Sequence, residues 1–496
     1  MMSDAPSSPS AASRLSLASL PALPASVARP HYIPGDTRTG IVHFGPGAFH
    51  RAHQAAFIDD LLAAHPHWAI CAVSLHSAGV RDALRPQDGL YTLATLGKPG
   101  GLRVIGAIRE VLCAPEEADT VLARLADPEV RLVTLTVTEK GYALAGDDLD
   151  LDHPEIAHDL AAPETPRSAI GYLVAGLRVR RHRGIAPYTV LSCDNLAGNG
   201  KRLRRAVLQY ARHVDPALAA WIADKGAFPC SMVDSITPAS DDALRARVAD
   251  GLGLADAWPV QREPYVQWVI EDRFCNDRPP LEEVGALLSH DIAGHDRAKL
   301  RLLNGAHSTL AYLGLLLELE TVAEAMAEPV LATFVERLMR ESIAPVTALP
   351  GDLDADAYID AILGRFRNPS ICHRLAQIAW DGSQKLPVRL LGTIADALEK
   401  GHDIAPLCLA VAGWMQFVRR QARRGATLDD PLDATLADTG LATTGEARRD
   451  VDAFLALQAV FAPLSGDARF IDALRAAYRA FGDGSPAAVR DALAGA

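Results

Sequence analysis

Two kinds of periodicity divide this 496-residue chain near Pro279-Pro280. Before that point, short β-branched and aromatic runs alternate with amphipathic helical stretches. After about residue 291 only helical periodicity remains. Strand candidates fall at 40–44, 69–75, 102–105, 130–138 and 188–192, with helices over 49–64, 115–126, 168–183 and 201–213 between them. Strands alternating with helices specify a parallel sheet covered on both faces, because each crossover helix packs back onto the sheet. The second half, with helices over 298–317, 321–339, 358–365, 388–399, 406–423, 450–459 and 469–480, specifies a separate helical domain. The expected fold class is α/β, with a doubly wound parallel sheet over 40–285 and a mainly α-helical domain over 286–496. Residues 1–39, rich in Ser, Ala and Pro, read as a loose N-terminal extension.

The extension lacks the basic start and continuous apolar core of a secretory signal. Apolar stretches such as 310–317 are too short to span a bilayer. The seven cysteines are odd in number, widely spaced and free of any CxxC pair. They form neither a zinc ribbon nor a disulfide framework, which places the chain in a reducing cytoplasm. Lys plus Arg total 49 against 61 Asp plus Glu, a net charge of −12. That balance argues against nucleic acid and against an anionic membrane as partners, since both need a basic face. A small molecule remains, and an anionic one needs a locally basic pocket.

Gly45-Pro-Gly47 follows the first strand and opens the first helix. Glycines there permit a tight turn and close approach of a pyrophosphate, and the helix start supplies free N–H groups and a positive dipole end. The third glycine of G-x-G-x-x-G is replaced by His50. No carboxylate ends the second strand at 74–79, where an NAD enzyme usually holds the ribose hydroxyls, and Arg81 lies close by. Use of NADP, or of both cofactors, stays open on this segment. His50 and His53 stand three apart on one helical face but lack further ligands at metal-site spacing, so they read as polar residues near the phosphates.

The motifs become specific together. Gly45-Pro-Gly-Ala-Phe-His-Arg-Ala-His-Gln54, Thr136-Val-Thr-Glu-Lys-Gly-Tyr142, Ser192-Cys-Asp-Asn-Leu196 with Asn199-Gly200, Phe228-Pro-Cys-Ser-Met-Val-Asp234 and Glu263-Pro-Tyr-Val-Gln-Trp-Val-Ile-Glu-Asp272 resemble, in order, the mannitol dehydrogenase family of polyol-specific long-chain dehydrogenases. So do Lys299-Leu-Arg-Leu-Leu-Asn304-Gly-Ala-His307-Ser and Asp381-Gly-Ser-Gln-Lys385. The resemblance implies a Rossmann-type N-terminal domain, a helical C-terminal domain, an active site in the cleft between them, metal-independent hydride transfer with NAD or NADP, and a monomer. It places Gly45, Gly47, Ala48, Phe49, His50, Arg51 and Glu139 around the cofactor. Glu139 either shapes proton access or forms a structural ion pair.

Lys299, Asn304 and His307 stand at i, i+5 and i+8, near 0°, 140° and 80° on a helix turning about 100° per residue. Spacing alone also fits a packing helix, given Leu302, Leu303 and Leu310. The resemblance makes Lys299 the general base, a role that requires its pKa to fall from about 10.4. It makes Asn195 and Asn304 amide donors to the reacting oxygen, and His307 a ligand of the neighbouring one. Asp234, Lys385 and Arg374 are implied around the rest of the substrate. A catalytically dead binding protein would lack one of these central groups, and all are present.

One departure stands out. Family members carry Val-Asp-Arg-Ile-x-Pro where this chain has Val233-Asp234-Ser235-Ile236-Thr237-Pro238, which leaves one polar contact in doubt. Asn368-Pro-Ser-Ile-Cys-His-Arg374, Asp381-Gly-Ser-Gln-Lys-Leu-Pro387, Arg389-Leu-Leu391 and the Lys140-Gly141 pair resemble the sugar-acid branch of the family. The expected substrate pair is D-mannonate and D-fructuronate, with Arg374 or Lys385 meeting the carboxylate; D-mannitol and D-fructose are the alternative.

Overall fold

In a computed structural model that describes residues 13–97 and 100–496, the chain divides into two units, Met1–Ile292 and Ala293–Ala496. Unit 1 is built on strand β1 (Thr39–Phe44), flanked by β2 (Ala69–Ser74) and, further along the chain, β3 (Ile108–Cys113), β4 (Leu132–Leu135) and β5 (Thr189–Ser192). All neighbours pair in parallel, in the order β5-β4-β1-β2-β3. Alternate side chains of each strand serve opposite faces. Val42, Phe44, Cys71, Val73 and Val133 enter one core with Tyr172 and Leu173, whereas Ile41, Ile70, Ala72 and Leu132 enter the other with Phe57 and Trp268. The strands therefore read as continuous apolar runs, as a doubly covered parallel sheet requires.

The first crossover is helical over α1 (Ala48–Ala52) and α2 (Gln54–Leu61). The single helix expected there is broken at His53, whose backbone leaves helical geometry at φ −115 and ψ −89. Helices α3 (Ala114–Leu125), α4 (Ala169–His182) and α5 (Asn199–Val214) complete the winding, and Pro115 occupies the first turn of α3. Then β6 (Ser231–Asp234) and β7 (Gln267–Glu271) pair antiparallel, and β8 (Leu287–Ser289) joins β7 in parallel.

Residues 13–39 correct the reading of a loose extension. Leu15, Leu23 and Val27 are buried, and Val27–Ala28 pairs with Leu102 and Arg103 in a second sheet. Residues 1–12 lie outside the described residues.

Unit 2 is helical, as the periodicity indicated. After α6 (Ile292–Ala298) the chain widens into a π-helical turn, Lys299–Leu303, and returns to α geometry in α7 (Asn304–Leu316). Two further π turns, Leu338–Ile343 and Pro387–Leu391, pack on the first. Helix α8 (Ala355–Phe366) lies beside them, α9 (Gly382–Leu386) leads into the last π turn, and the long α10 (Ala405–Arg423) packs along α7. Among the described residues no helix is long and apolar enough to cross a membrane.

Candidate active site

In unit 1 the strand order reverses direction at β1, where β2 lies to one side and β4 to the other. This is the switch point at which open α/β sheets bind ligands. Gly45, directly after β1, has φ +88, and a Cβ there would lie 2.2 Å from the Thr136 carbonyl oxygen at the end of β4. No residue with a side chain fits. The Thr136 hydroxyl donates to the Gly45 carbonyl at 2.7 Å, and the same carbonyl accepts the Gly47 N–H at 2.7 Å, which fixes the turn. A Cβ at Gly47, by contrast, would meet nothing closer than 3.9 Å. The turn is thus closed on the sheet side and open outward, where the first N–H groups of α1 lack intrahelical partners. That form fits the pyrophosphate of a dinucleotide.

The side chains of the turn divide. Ala48 and Phe49 are half-buried, and Phe49 stacks on His53. His50 is buried and stacks on His43 with ring centroids 3.3 Å apart. Burial holds His50 well below the usual histidine range and pushes His43 down to about 3. Arg51 is fully buried: it donates to the Trp258 carbonyl at 2.5 Å and lies against the rings of Tyr91 and Trp258. What His50 and Arg51 present outward is backbone, so the sequence motif named the segment without revealing where its side chains point. His53, the other half of the considered metal pair, bonds the Gln267 carbonyl and Gln54.

Beyond β2, Leu75 and His76 join Ala114, Pro115, Ala118 and Tyr172 around a cavity of about 570 Å³. Nearby, Arg81 is engaged by Glu116 at 2.5 Å, Asp82 at 2.9 Å and Glu117 at 3.6 Å.

Asn195 is exposed just past the end of β5. Its loop is held by two residues that sequence reasoning passed over. Asp194 accepts the N–H groups of Val137 at 3.1 Å and Thr138 at 2.8 Å and the Tyr142 hydroxyl at 2.6 Å. Asn199 donates to the carbonyls of Asp194 and Ser231 and accepts the Ser231 N–H. Thr138 has φ +65, a strained value for a β-branched residue, held by the Asp194 bond. The visible signal was the Ser192-Cys-Asp-Asn run with Asn199. Glu139 is exposed on the turn Glu139–Tyr142 and makes no ion pair among the described residues. Asp234 ends β6, buried, and Ser235 donates to the Tyr265 carbonyl at 3.0 Å.

In unit 2 the π turn alters the helical wheel. The Asn304 N–H bonds the Lys299 carbonyl, an i→i+5 bond, so one full turn separates the two residues. His307 follows Asn304 by three positions on regular helix, again one turn on. The offset of about 140° expected between Lys299 and Asn304 closes, and the three side chains share one face. Lys299 is 9% exposed and His307 8%. The His307 ring lies 4.4 Å from Phe366 and 5.3 Å from His373, and its nitrogens bond no protein group among the described residues. Burial, then the neighbouring His373, Arg365 and Arg389, hold it well below the usual histidine range, so it is a neutral ring with free hydrogen-bonding capacity.

Lys385 lies at the end of α9, its ammonium on the carbonyls of Trp380 at 2.5 Å and Ile378 at 3.4 Å. Burial lowers its pKa. Arg374 is exposed, and its backbone bridges Thr321. Arg389, in the last π turn, donates through Nη1 to the Ser308 hydroxyl at 3.0 Å and to the Asn304 carbonyl at 3.5 Å.

Two family models account for most of the sequence: the mannitol dehydrogenase Rossmann domain over 39–283 and the mannitol dehydrogenase C-terminal domain over 291–481. The chain belongs to the mannitol dehydrogenase family. Among relatives, it is 42% identical over 465 residues to D-mannonate oxidoreductase of Escherichia coli K12, covering 91% of this chain and 95% of that one. It is 39% identical over 419 residues to mannitol 2-dehydrogenase of Phaeosphaeria nodorum, covering 82% and 74%. Among solved structures it is similar to a substrate-free D-sorbitol dehydrogenase (TM-score 0.90, 32% identity, 97% and 100% covered). It is also similar to a Pseudomonas fluorescens mannitol 2-dehydrogenase in ternary complex with NAD and D-mannitol (TM-score 0.77, 35% identity, 96% and 98% covered). Membership makes the chain an NAD-dependent dehydrogenase acting on a CH–OH group.

Proposed function

We propose that the chain interconverts D-mannonate and D-fructuronate, with Lys299 as the proton-transfer group. The observation that carries the chemistry is the π turn, which brings Lys299, Asn304 and His307 onto one face of one helix. Oxidising a secondary alcohol needs a base for the hydroxyl proton as hydride leaves carbon. NAD supplies the hydride acceptor, and NADH the donor in reverse. Lys299 Nζ takes the hydroxyl proton, and on reduction its ammonium returns it. The side-chain amides of Asn304 and Asn195 donate to the oxygen whose charge changes. His307, kept neutral by burial, hydrogen-bonds the adjacent hydroxyl without adding charge. Asp234 and Lys385 meet the remaining hydroxyls. On the cofactor side, Gly47 leaves the approach open, the N–H groups of Ala48, Phe49 and His50 hold the pyrophosphate, and the cavity beyond β2 takes the adenosine end. In this reading Glu139 shapes proton access, and the seven cysteines, none paired, suit a cytoplasmic setting.

The sugar-acid reading is supported by the near full-length match to D-mannonate oxidoreductase. The neutral pair, D-mannitol and D-fructose, is the second reading, favoured by the 39% identity to mannitol 2-dehydrogenase. Reduction rates of D-fructuronate and D-fructose, each with NADH and NADPH, separate the two. We expect fructuronate with NADH to give the highest kcat/KM, by tenfold or more; a preference for fructose overturns the substrate assignment.

A further inference from the structure

Recognition of a sugar acid requires a cation whose donors are open to the ligand, and Arg374, Lys385 and Arg389 in unit 2 differ sharply in this respect. Arg374 is exposed, so a carboxylate there competes with water and gains little. The Lys385 ammonium already donates to two carbonyls and has Asp381 at 3.8 Å. Arg389 is different. Both of its protein hydrogen bonds leave from Nη1. Its Nε–Nη2 edge, the edge that matches a carboxylate in a two-bond fork, donates to no protein group among the described residues, and no carboxylate oxygen lies within 4.0 Å of the guanidinium. Burial depresses its pKa, the mark of a cation short of compensation.

Its position is also built. The Pro387–Leu391 turn packs on the Lys299–Leu303 turn. Gly305, next to Asn304, permits the approach, since a Cβ there would lie 3.1 Å from the Arg389 carbonyl. Arg389 thereby lies beside Asn304 and close enough to His307 to depress that ring, one step removed from Lys299. A hexuronate demands this arrangement. Three carbons separate the ketone carbon of fructuronate from its carboxylate, so the cation must stand off from the proton-transfer group.

We propose that the Nε–Nη2 edge of Arg389 receives the substrate carboxylate and selects sugar acids over neutral polyols at this site. The inference rests on the sugar-acid reading above and names the residue responsible for it.

The experiment measures kcat and KM separately for D-fructuronate and D-fructose in the unaltered enzyme, Arg389→Gln and Arg389→Lys. Arg389→Gln should lose about 100-fold in kcat/KM for fructuronate, mostly through KM, with fructose changed less than threefold. Arg389→Lys, which keeps the charge but not the fork, should fall between. Equal loss on both substrates would mean that the arginine acts only through Ser308 and the Asn304 carbonyl, and would overturn the inference. So would an unchanged rate with fructuronate. If the unaltered enzyme itself prefers fructose, the proposed function fails first, which keeps the two outcomes distinct. Should Arg389→Gln not fold, inhibition of the unaltered enzyme by D-gluconate and D-glucitol decides. Gluconate is expected to bind at least tenfold tighter, and parity counts against a carboxylate site.

Discussion

The turn after β1 and the π turn before α7 both bring chemistry to the end of an element, but from opposite materials. At Gly45 the important atoms are backbone. The strand end, the positive φ and the contact with Thr136 leave no room for a side chain, and the side chains of the following residues, His50 and Arg51, are buried inward. At Lys299 the important atoms are side chains, and the backbone contributes by widening one turn so that three of them line up. A site made of backbone cannot be separated from the fold that shapes it. A site made of side chains can be emptied while its scaffold stands. Mutations should therefore divide into those that remove activity with stability intact and those that remove both.

The largest effect is expected at the second site. Lys299→Ala should lower kcat by about 10³-fold, within the range lost when a proton-transfer group is removed, while NADH binding stays within twofold of the parent. Steady-state kinetics with a fluorescence titration of NADH checks both. Asn304→Ala should cost about 100-fold in kcat, with the π turn unaffected because its bond uses the backbone N–H. A large fall in melting temperature in either variant would break the contrast between the two sites.

Gly45→Ala tests the other side. The added Cβ meets the Thr136 carbonyl at 2.2 Å, at a φ that side chains disfavour. We expect a loss of about 3 kcal/mol, a melting temperature lower by roughly 6–12 °C, and weaker NADH binding in the same variant. Loss of binding without loss of stability would show that turn and fold are separable after all.

The same contrast explains what could be read in the sequence. β1, β2 and β5 are legible because a parallel strand buried on both faces is a continuous apolar run. β3 was missed because it is an edge strand whose Arg109 and Glu110 are only half-buried. The break at His53 and the π turn at Lys299 are silent, since the apolar spacing continues through both; helical periodicity cannot register one extra residue per turn. Lys299, Asn304 and His307 could be named from their motif, but their alignment could not. Arg51 shows the limit from the other side. It stands in the motif beside the cofactor turn, yet its direction is set by Tyr91 and Trp258, which are distant in sequence.

Charge sharpens the comparison further. Arg81 in unit 1 is engaged by three carboxylates, whereas Arg389 in unit 2 has no carboxylate oxygen within 4.0 Å among the described residues. An arginine following the second strand is the usual partner of the NADP 2′-phosphate. With Arg81 so engaged, NADH should be preferred over NADPH. Replacing Glu116 and Glu117 together by Gln should raise the NADPH to NADH ratio of kcat/KM about tenfold, and an unchanged ratio would remove Arg81 from cofactor selection.

The smallest effect comes from the histidines, and its sign follows from their burial. His43, with its pKa pushed down to about 3, and His50 stay neutral in the folded protein under mildly acid conditions. The unfolded chain protonates them near the ordinary value of about 6.5. Below that pH the unfolded state binds more protons than the folded one, so stability is full above about pH 6.5 and falls as pH drops toward the folded values. Each such histidine contributes a slope approaching 1.4 kcal/mol per pH unit. Unit 1 carries two beneath its backbone turn, while unit 2 carries His307 on its side-chain face. His43→Gln should reduce the acid sensitivity of unit 1 by nearly one proton, or about 1 kcal/mol between pH 6.5 and 5.5, in denaturant titrations repeated across that range. His307→Gln should relieve unit 2 to the same extent and also slow turnover. An acid slope shared by the parent and His43→Gln would mean that the stacked pair under the nucleotide turn takes up its proton while still folded.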